Sequence, residues 1–471
     1  MLPYFGHIST ALAILAGVPM LVAGATDNYS ALWRYLVVIA LLLAICIPLM
    51  RRPRPSDLQV NEGLVITATV FILAPLIMAF PLAAHGLTYG QALFEAVSAI
   101  TTTGLSTLAS VENRPASFLF ARAWMQWYGG LGIVALLPLW IPPGPAARRF
   151  VGLDQPEGDD PLTSARFYAR RIIGVYLALT AGGVLLLWLL GSDPFTALVH
   201  TLAAVSTGGF SNFDANLAGL GRPAAVGTVL LSVLGALPFM LYLQAMTGRV
   251  RSIWTDVQVR SLLLFGLLGG VVLALMMPTV AGENLLARFT DAGLLAFSAQ
   301  TTAGFTSIDI GSLGAGAKYV LILMMIAGGG LGSTAGGIKL IRILIFFKLL
   351  RALIQRASLP QAAWFTPQLG GMTLSEEITQ RSLLLILMFV ATVAISWLPF
   401  VAAGEEPLDA LFEVVSATAT VGLSAGVTRT DLAPVLQGIL CLDMWLGRLE
   451  MVALLVLLSP AAWRHHRETR V

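Results

Sequence analysis

Four short segments of this chain are variants of one pattern. Each is an apolar run that reaches a threonine and, two residues later, a glycine, and the aligned glycines are Gly104, Gly209, Gly304 and Gly422. Intervals of about a hundred residues separate them, which is longer than the period of common solenoid repeats, so each unit is expected to be a small module. Four modules in one chain predict four-fold pseudosymmetry around a central axis.

Composition indicates the surroundings of these modules. Of 471 residues, 57% are hydrophobic and only 11% are charged, which predicts an integral membrane protein. A membrane span needs about 20 apolar residues, and the chain supplies roughly ten such runs. We therefore expect an all-α polytopic membrane protein, in which four pseudo-symmetric span, pore-segment, span modules surround a central pore and two extra transmembrane helices precede them. The runs that follow the repeats cover residues 118–140, 223–246, 317–347 and 432–458.

The loops between these runs predict domain boundaries and an orientation. Assigning alternate loops to one side of the membrane gathers most of the 28 Lys and Arg there, so both termini are expected to be cytoplasmic. The net charge of +3 follows from this asymmetry and does not indicate nucleic-acid binding. The expected divisions are an N-terminal transmembrane hairpin at residues 1–55 and pore modules at residues 56–147, 148–250, 251–350 (with an intramembrane gate loop) and 351–471.

The repeated segment lies between two spans in every module and is too short to cross the membrane alone. Its apolar part predicts a half-helix that stops mid-membrane, and the threonine and glycine after it predict extended backbone. Four such strands around one axis can aim carbonyl oxygens inward, as potassium selectivity filters do. The alternative is a small-residue motif for helix packing. The candidate filter residues are Thr102, Thr103, Gly104, Thr207, Gly208, Gly209, Thr302, Ala303, Gly304, Thr420, Val421 and Gly422.

A glycine-rich string interrupts the apolar run at residues 317–347. Residues 328–337 contain six glycines and two hydroxyl side chains. Glycine costs about 1 kcal/mol per helical position relative to alanine, so an unwound loop inside the membrane is expected. The alternative is a glycine-lined contact for a neighbouring helix.

Charged residues inside the apolar runs are candidates for function. Arg448 lies within the last span, where an arginine costs roughly 2.5 to 3.5 kcal/mol, so it is expected to face the pore or a buried acid. Glu450 and Asp443 share its helix, and a structural ion pair with one of them is the alternative. Lys339 and Arg342 are expected to mark the cytoplasmic end of the third module's second span.

Two acids occupy equivalent places in the repeats. Glu95 and Glu413 are expected at the start of two half-helices, where capping of the helix N-terminus is favoured over ion binding. His200 and Leu295 take this position in the second and third modules, so the sequence predicts no symmetric ring of charge.

Four modules with one central glycine each, the glycine-rich string of residues 328–339 and the late Gly447-Arg448-Leu449-Glu450 together resemble the Trk/Ktr/HKT superfamily of potassium transporters. The two extra N-terminal spans favour its TrkH-like branch. The resemblance implies potassium uptake by a homodimer in a bacterial inner membrane. It implies a gate loop under the filter, with Arg448 as a barrier or latch beside the path. The implied gate residues are Gly328, Gly329, Gly330, Gly332, Ser333, Thr334, Gly336, Gly337, Lys339 and Arg448.

The same resemblance implies a cytoplasmic TrkA-like ring that binds a nucleotide and controls the gate. No cofactor is expected in this chain itself, and potassium is expected only as the transported ion at the filter. Because the filter pairs differ (Thr-Gly, Gly-Gly, Ala-Gly and Val-Gly), selectivity is expected to be less strict than in a symmetric tetrameric channel.

Two other function classes are weighed against this one. An ion-coupled secondary transporter of another small solute would break a few helices at the midplane, but it would not repeat one segment four times in the same orientation. A membrane enzyme would need clustered nucleophiles, acids or metal ligands, and the five histidines form no such set. We therefore expect a transporter and not an enzyme.

Overall fold

The computed structural model describes residues 2–51, 60–136, 165–277, 284–357, 368–370 and 372–458. Apart from two short 3-10 helices (Ala83–His85 and Asn216–Gly219) and a hairpin of β1 (Gln368–Leu369) and β2 (Met372–Thr373), the regular elements of these residues are α-helices. They are α1 (Leu2–Ala25), α2 (Tyr29–Met50), α3 (Val60–Leu82), α4 (Tyr89–Ile100), α5 (Ala116–Leu136), α6 (Ala165–Leu189), α7 (Pro194–Val205), α8 (Arg222–Gly235), α9 (Phe239–Met246), α10 (Arg251–Thr255), α11 (Val257–Met276), α12 (Leu285–Gln300), α13 (Ala315–Ile326), α14 (Leu340–Ala357), α15 (Glu376–Ala402), α16 (Pro407–Thr418), α17 (Pro434–Arg448) and α18 (Val452–Leu458).

Three kinds of helix recur in the same order four times after the N-terminal pair α1 and α2. A long helix (α3, α6, α11, α15) is followed by a short pore helix (α4, α7, α12, α16) and then by an interrupted second helix. The all-α polytopic fold with four pseudo-symmetric units and two preceding helices is therefore confirmed. The hairpin of α1 and α2 packs against the first unit, where Trp124 Nε1 donates a hydrogen bond to the Leu15 carbonyl at 2.9 Å.

The second helix is interrupted in every unit, whereas the sequence predicts an interruption only in the run at residues 317–347. The runs at residues 223–246 and 432–458 each count as one span in the sequence, but α8 and α9 meet at 86°, and α17 and α18 are separated by residues 449–451. The expected interruption between α13 and α14 is present, and α5 bends at Gly132, whose φ is +71°. For this reason only six helices of the described residues are long and apolar enough to cross a membrane, or seven with the bent pair.

The expected module boundaries after residues 55 and 147 lie outside the described residues. The boundary after residue 350 falls inside α14, which continues to Ala357. The helix that follows the gate string therefore extends beyond the division expected from composition.

Candidate functional site

The four filter segments, residues 102–104, 207–209, 302–304 and 420–422, have the same backbone conformation. Each pore helix ends two residues before the segment's threonine, and that threonine has a φ between +50° and +56°. The left-handed region costs a residue other than glycine about 1–2 kcal/mol, so its recurrence in four threonines shows that the surroundings hold it in place. All four threonines are buried.

The glycines of these segments form a closed ring. Each has a positive φ, and a Cβ added to it would strike the carbonyl oxygen of the middle residue of the next segment. The order is closed, because Gly104 meets Gly208, Gly209 meets Ala303, Gly304 meets Val421, and Gly422 meets Thr103 of the first segment. Glycine is required here because only a residue without a Cβ permits this approach. The structure therefore brings all twelve candidate filter residues together around one axis.

Hydrogen bonds to the pore helices orient the filter peptides. The middle residue of each segment donates its N–H to the carbonyl five residues earlier, at 2.8 to 2.9 Å in all four segments. Gly104 and Gly422 donate theirs to the hydroxyls of Ser98 and Ser416 at 3.0 Å. The N–H and C=O of a planar peptide point in opposite directions, so these bonds turn the preceding carbonyls away from the helices. Such an arrangement can present oxygen atoms to a cation on the axis.

A side chain in the middle of the pore helix fixes the strand that leaves the filter. Glu95, His200 and Glu413 each hydrogen-bond the serine eleven residues later, namely Ser106 at 2.6 Å, Ser211 at 3.0 Å and Ser424 at 2.8 Å. The expectation that the two glutamates cap helix N-termini is therefore wrong. The N-caps of α4 and α16 are Thr88 and Glu406. Leu295 takes the position in the third unit and cannot make this bond.

Two polar residues of α5 support the filter and were missed from the sequence. Arg122 is 3% exposed, with its Nε 2.8 Å from Glu95 Oε2 and its guanidinium 3.7 Å from the centre of the Phe210 ring. Gln126 donates to the Gly208 carbonyl and accepts from the Phe210 N–H at 3.1 Å. Their spacing of four residues puts them on one helix face, and this spacing of polar residues in an apolar run was the available signal.

A second glycine in each unit was also missed. Gly129, Gly235 and Gly447 pack so closely that a Cβ would strike the last carbonyl of the pore helix of their own unit. Each follows its filter glycine by 25 or 26 residues, and Gly329 has the same spacing in the third unit. In that unit the helix has already ended at Ile326, and Gly329 packs instead against Ala236.

The gate segment, residues 328–339, is a loop closed at its neck. The Gly328 N–H donates to the Ile338 carbonyl at 3.1 Å, and the Leu340 N–H donates to the Gly329 carbonyl at 3.0 Å. Its glycines, Ser333, Thr334 and Lys339 are buried or half-buried. The gate residues expected from the sequence, apart from Arg448, therefore lie in one folded loop at the level where the pore helices end.

The gate segment docks on the break between α8 and α9. Gly330 donates to the Ala236 carbonyl at 3.0 Å, and Thr334 donates to the Gly235 carbonyl at 3.2 Å from its N–H and 2.9 Å from its hydroxyl. The Phe239 N–H returns a bond to the Gly332 carbonyl at 3.1 Å. The backbone groups freed by one interrupted helix therefore pair with those of another, as interrupted helices in a membrane require.

Arg448 ties the gate segment to the first unit. Its guanidinium donates to the carbonyls of Thr334 at 2.8 Å, Gly129 at 2.6 Å and Gly130 at 2.8 Å. The two acids that the sequence offers as partners are bound elsewhere, because Glu450, in the break after α17, lies 2.6 Å from Arg342, and Asp443 accepts from Ser396 at 2.6 Å. The alternative of a structural ion pair for Arg448 therefore does not hold.

Lys339 and Arg342 lie where the gate segment joins α14. Lys339 is buried and donates to the Ala335 carbonyl, and Arg342 lies in the first turn of α14, which runs on to Ala357. The helix resumes after the gate segment, and the placement of these two residues at the cytoplasmic end of a span stays a prediction.

The loops that follow the first two filter segments are joined on the opposite side from the gate segment. Asp214 accepts hydrogen bonds from the Ser110 hydroxyl and the Val111 N–H, both at 2.6 Å. Partial burial opposes ionisation of Asp214, but these bonds and one from the Glu112 N–H outweigh it, so the pKa of this carboxyl lies below its ordinary value. This link fixes the first two units relative to each other.

Comparison with known proteins identifies the family. The family model described as a cation transport protein, TrkH, matches residues 36–464. This chain belongs to the TrkH family of cation transport proteins. The Trk system potassium uptake protein TrkI of Halomonas elongata is 31% identical over 469 residues, covering 96% of this chain and 94% of that protein. The Trk system potassium uptake protein TrkH of Escherichia coli K12 is 30% identical over 431 residues, covering 88% of each.

The fold of the TrkH family is also found here by structural comparison. The crystal structure of the potassium transporter TrkH from Vibrio parahaemolyticus superposes with a TM-score of 0.86 at 25% identity, covering 98% of this chain and 99% of that one. The resemblance inferred from the repeats is confirmed, and the chain is a member of a family of membrane-spanning transporters.

Proposed function

We propose that this protein takes up potassium across a bacterial inner membrane through the four filter segments, and that the gate segment opens and closes this path. Membership of the TrkH family supports cation transport, and relatives named as potassium uptake proteins support the ion. The closed ring of glycines and neighbouring carbonyls carries the proposal, because it gives each of the four units an equal part in one constriction lined by oxygen atoms.

The proposal includes partners that lie outside this chain. The relatives named as proteins of the Trk system support a partnership of the same kind. We propose a homodimer in which each protomer holds its own pore, and a cytoplasmic TrkA-like ring that binds the nucleotide and controls the gate. With both termini in the cytoplasm, such a ring would face the side of the membrane on which the gate segment lies.

Growth of a potassium-uptake-deficient bacterium at low potassium tests the proposed function. We expect the wild-type protein to restore growth and Gly304→Ala to fail, because its Cβ would strike the Val421 carbonyl. Gly314→Ala is the matched control in the same unit, since a Cβ at Gly314 meets open space. Wild-type protein that reaches the membrane without restoring growth would contradict the proposal, and uptake of another solute would favour a secondary transporter.

A further inference from the structure

The hydroxyls of the four filter threonines have different partners, although their backbones are alike. Thr302 Oγ1 accepts a hydrogen bond from the Gly336 N–H of the gate segment at 2.7 Å. Thr207 Oγ1 donates to the Ser206 carbonyl and lies 3.3 Å from Thr334 Oγ1 of the same segment. In the part of the chain that the structure describes, the hydroxyls of Thr102 and Thr420 are buried and have no hydrogen-bond partner.

These threonines lie at the inner end of the filter. Each follows the last turn of a pore helix, which in the proposed orientation begins on the outside, so its hydroxyl is at the deepest point of the segment, where the gate segment also lies. Gly336 is placed among them, because a Cβ added to it would strike Thr420 Oγ1 and the Ala419 carbonyl. The Gly337 N–H donates to that carbonyl at 2.9 Å. The gate segment therefore touches the filter at three of its four threonines.

At Thr302, the Gly336 N–H binds the hydroxyl oxygen that a cation at this site would bind. An amide hydrogen carries partial positive charge and takes one of the two lone pairs of the Thr302 hydroxyl, on the side from which Gly336 approaches. The hydroxyls of Thr102 and Thr420 have no donor of this kind, although buried polar groups are normally paired. A cation bound by all four hydroxyls would satisfy Thr102 and Thr420, but Gly336 lies against both Thr302 Oγ1 and Thr420 Oγ1 and would have to move away first.

We propose that the gate segment and a potassium-sized cation compete for the Thr302 hydroxyl, so that cation binding at the inner end of the filter opposes closure of the gate. The inference rests on the proposed function and adds its regulation. Coupling between two binding events is reciprocal, so a closed gate lowers the affinity of this site and an occupied site favours the open gate. An ion that passes from the filter to the threonine site would then favour the open gate through which it leaves.

Labelling of the gate segment in the reconstituted full-length protein tests this coupling. Ser333→Cys places a thiol on the half-buried tip, and the two native cysteines are buried, so a membrane-impermeant maleimide reports on the gate. We expect labelling of this protein to become faster as potassium is raised and to stay constant in N-methyl-D-glucamine. A labelling rate that ignores potassium in a protein that transports it would overturn the inference.

Variants at two threonines separate the gate from the ion site. In the Ser333→Cys protein, Thr302→Val leaves Gly336 without its acceptor, so labelling without potassium should rise about fivefold, as expected for one hydrogen bond. Thr102→Val removes an unpartnered hydroxyl. It should leave that rate unchanged and shift the potassium dependence to higher concentrations. Thr302→Ser should restore wild-type labelling. Equal rates for the two valine variants without potassium would contradict the inference.

A variant on the gate side covers the case in which Thr302→Val does not fold. Thr334→Val removes the hydroxyl that bonds the Val205 and Gly235 carbonyls, at 3.1 and 2.9 Å, together with its contact to Thr207, and keeps the bond from Gly336 to Thr302. Labelling should rise while the dependence on potassium is retained. Rubidium uptake measured on the same vesicles separates the two failures. Absence of uptake refutes the proposed function, whereas uptake with potassium-independent labelling of all variants refutes only the competition.

Discussion

The four filter segments are alike, whereas the four interruptions of the second helices, which form the layer beneath the filter, differ from one another. The four filter segments share one backbone conformation, with φ between +50° and +56° at the threonine and between +72° and +94° at the glycine. The four interruptions of the second helices differ, being a bend at Gly132, the corner of α8 and α9, the gate segment, and residues 449–451. A cation on the axis needs equivalent oxygen atoms from every side, whereas a gate needs one unit that can move against the other three. Equivalence is therefore kept only where the ion would be bound.

Replacement of one filter glycine is expected to have the largest effect, because it makes one filter segment unlike the other three. In Gly422→Ala the Cβ would strike the Thr103 carbonyl at a φ of +91°, and strain and displacement together cost more than about 3 kcal/mol. We expect rubidium uptake to fall by roughly a hundredfold or more. Gly426→Ala is the matched control, because Gly426 has a φ of +97° but open space around its Cβ. Equal loss in both variants would assign the effect to backbone strain alone.

The side chains that hold the filter in place differ between the units more than the filter segments do. Variants of Glu95 and Glu413 test this difference. Glu95→Gln leaves Arg122 buried without its ion-pair partner, so the free energy of unfolding should fall by about 3–5 kcal/mol. Glu413 is bonded by Ser424 and the N–H groups of Ala425 and Thr428, so Glu413→Gln should cost only about 1 kcal/mol. Thermal melting in detergent compares them. Equal losses would show that the first and fourth units depend on their acids alike.

Removal of the gate segment tests whether the layer beneath the filter is the obstruction. Deletion of residues 329–336 removes the loop docked on Gly235 and Ala236, and basal rubidium flux should rise by at least about tenfold, which corresponds to about 1.4 kcal/mol in favour of an open path. Size-exclusion chromatography checks that the variant is folded. Unchanged flux from a folded deletion would favour a packing role for these glycines.

Substitution of Arg448 alters the layer beneath the filter at a single side chain, so its effect on flux should be smaller than that of the deletion. Arg448→Ala removes the bonds that join the Thr334 carbonyl of the gate segment to the Gly129 and Gly130 carbonyls of the first unit, and flux should rise about fivefold. Arg342→Ala breaks the ion pair with Glu450 and serves as the control. It should lower the melting temperature without raising flux. A rise in flux in both variants would mean that any loosening of this layer opens the path.

Much of the fold could be predicted because the repeats and apolar runs are local signals. The broken helices were less accessible, since the carbonyls freed at Gly235 and Ala236 find partners in the gate segment, almost a hundred residues later in the chain. Pro238 at the corner of α8 and α9 was a local signal that did not outweigh the continuous apolar run.

The candidate site shows the same division between local and distant causes. The filter glycines follow from one repeated pattern, but Glu95 was misplaced at a helix start although Thr88 and Gln91 form a capping box seven residues earlier. The Phe210 ring beside Arg122 and the carbonyls bonded by Arg448 belong to other units and leave no trace in the neighbouring sequence. Only the folded chain reveals these contacts.

Competition between cations for rubidium uptake tests most directly whether the ring of four glycines selects potassium. Wild-type protein in proteoliposomes would be assayed with increasing potassium or sodium on the side of uptake, with empty vesicles as the blank. We expect potassium to halve rubidium uptake at a concentration at least about tenfold below that of sodium, a difference of about 1.4 kcal/mol in binding free energy. Equal inhibition by sodium and potassium would contradict the assignment of the filter.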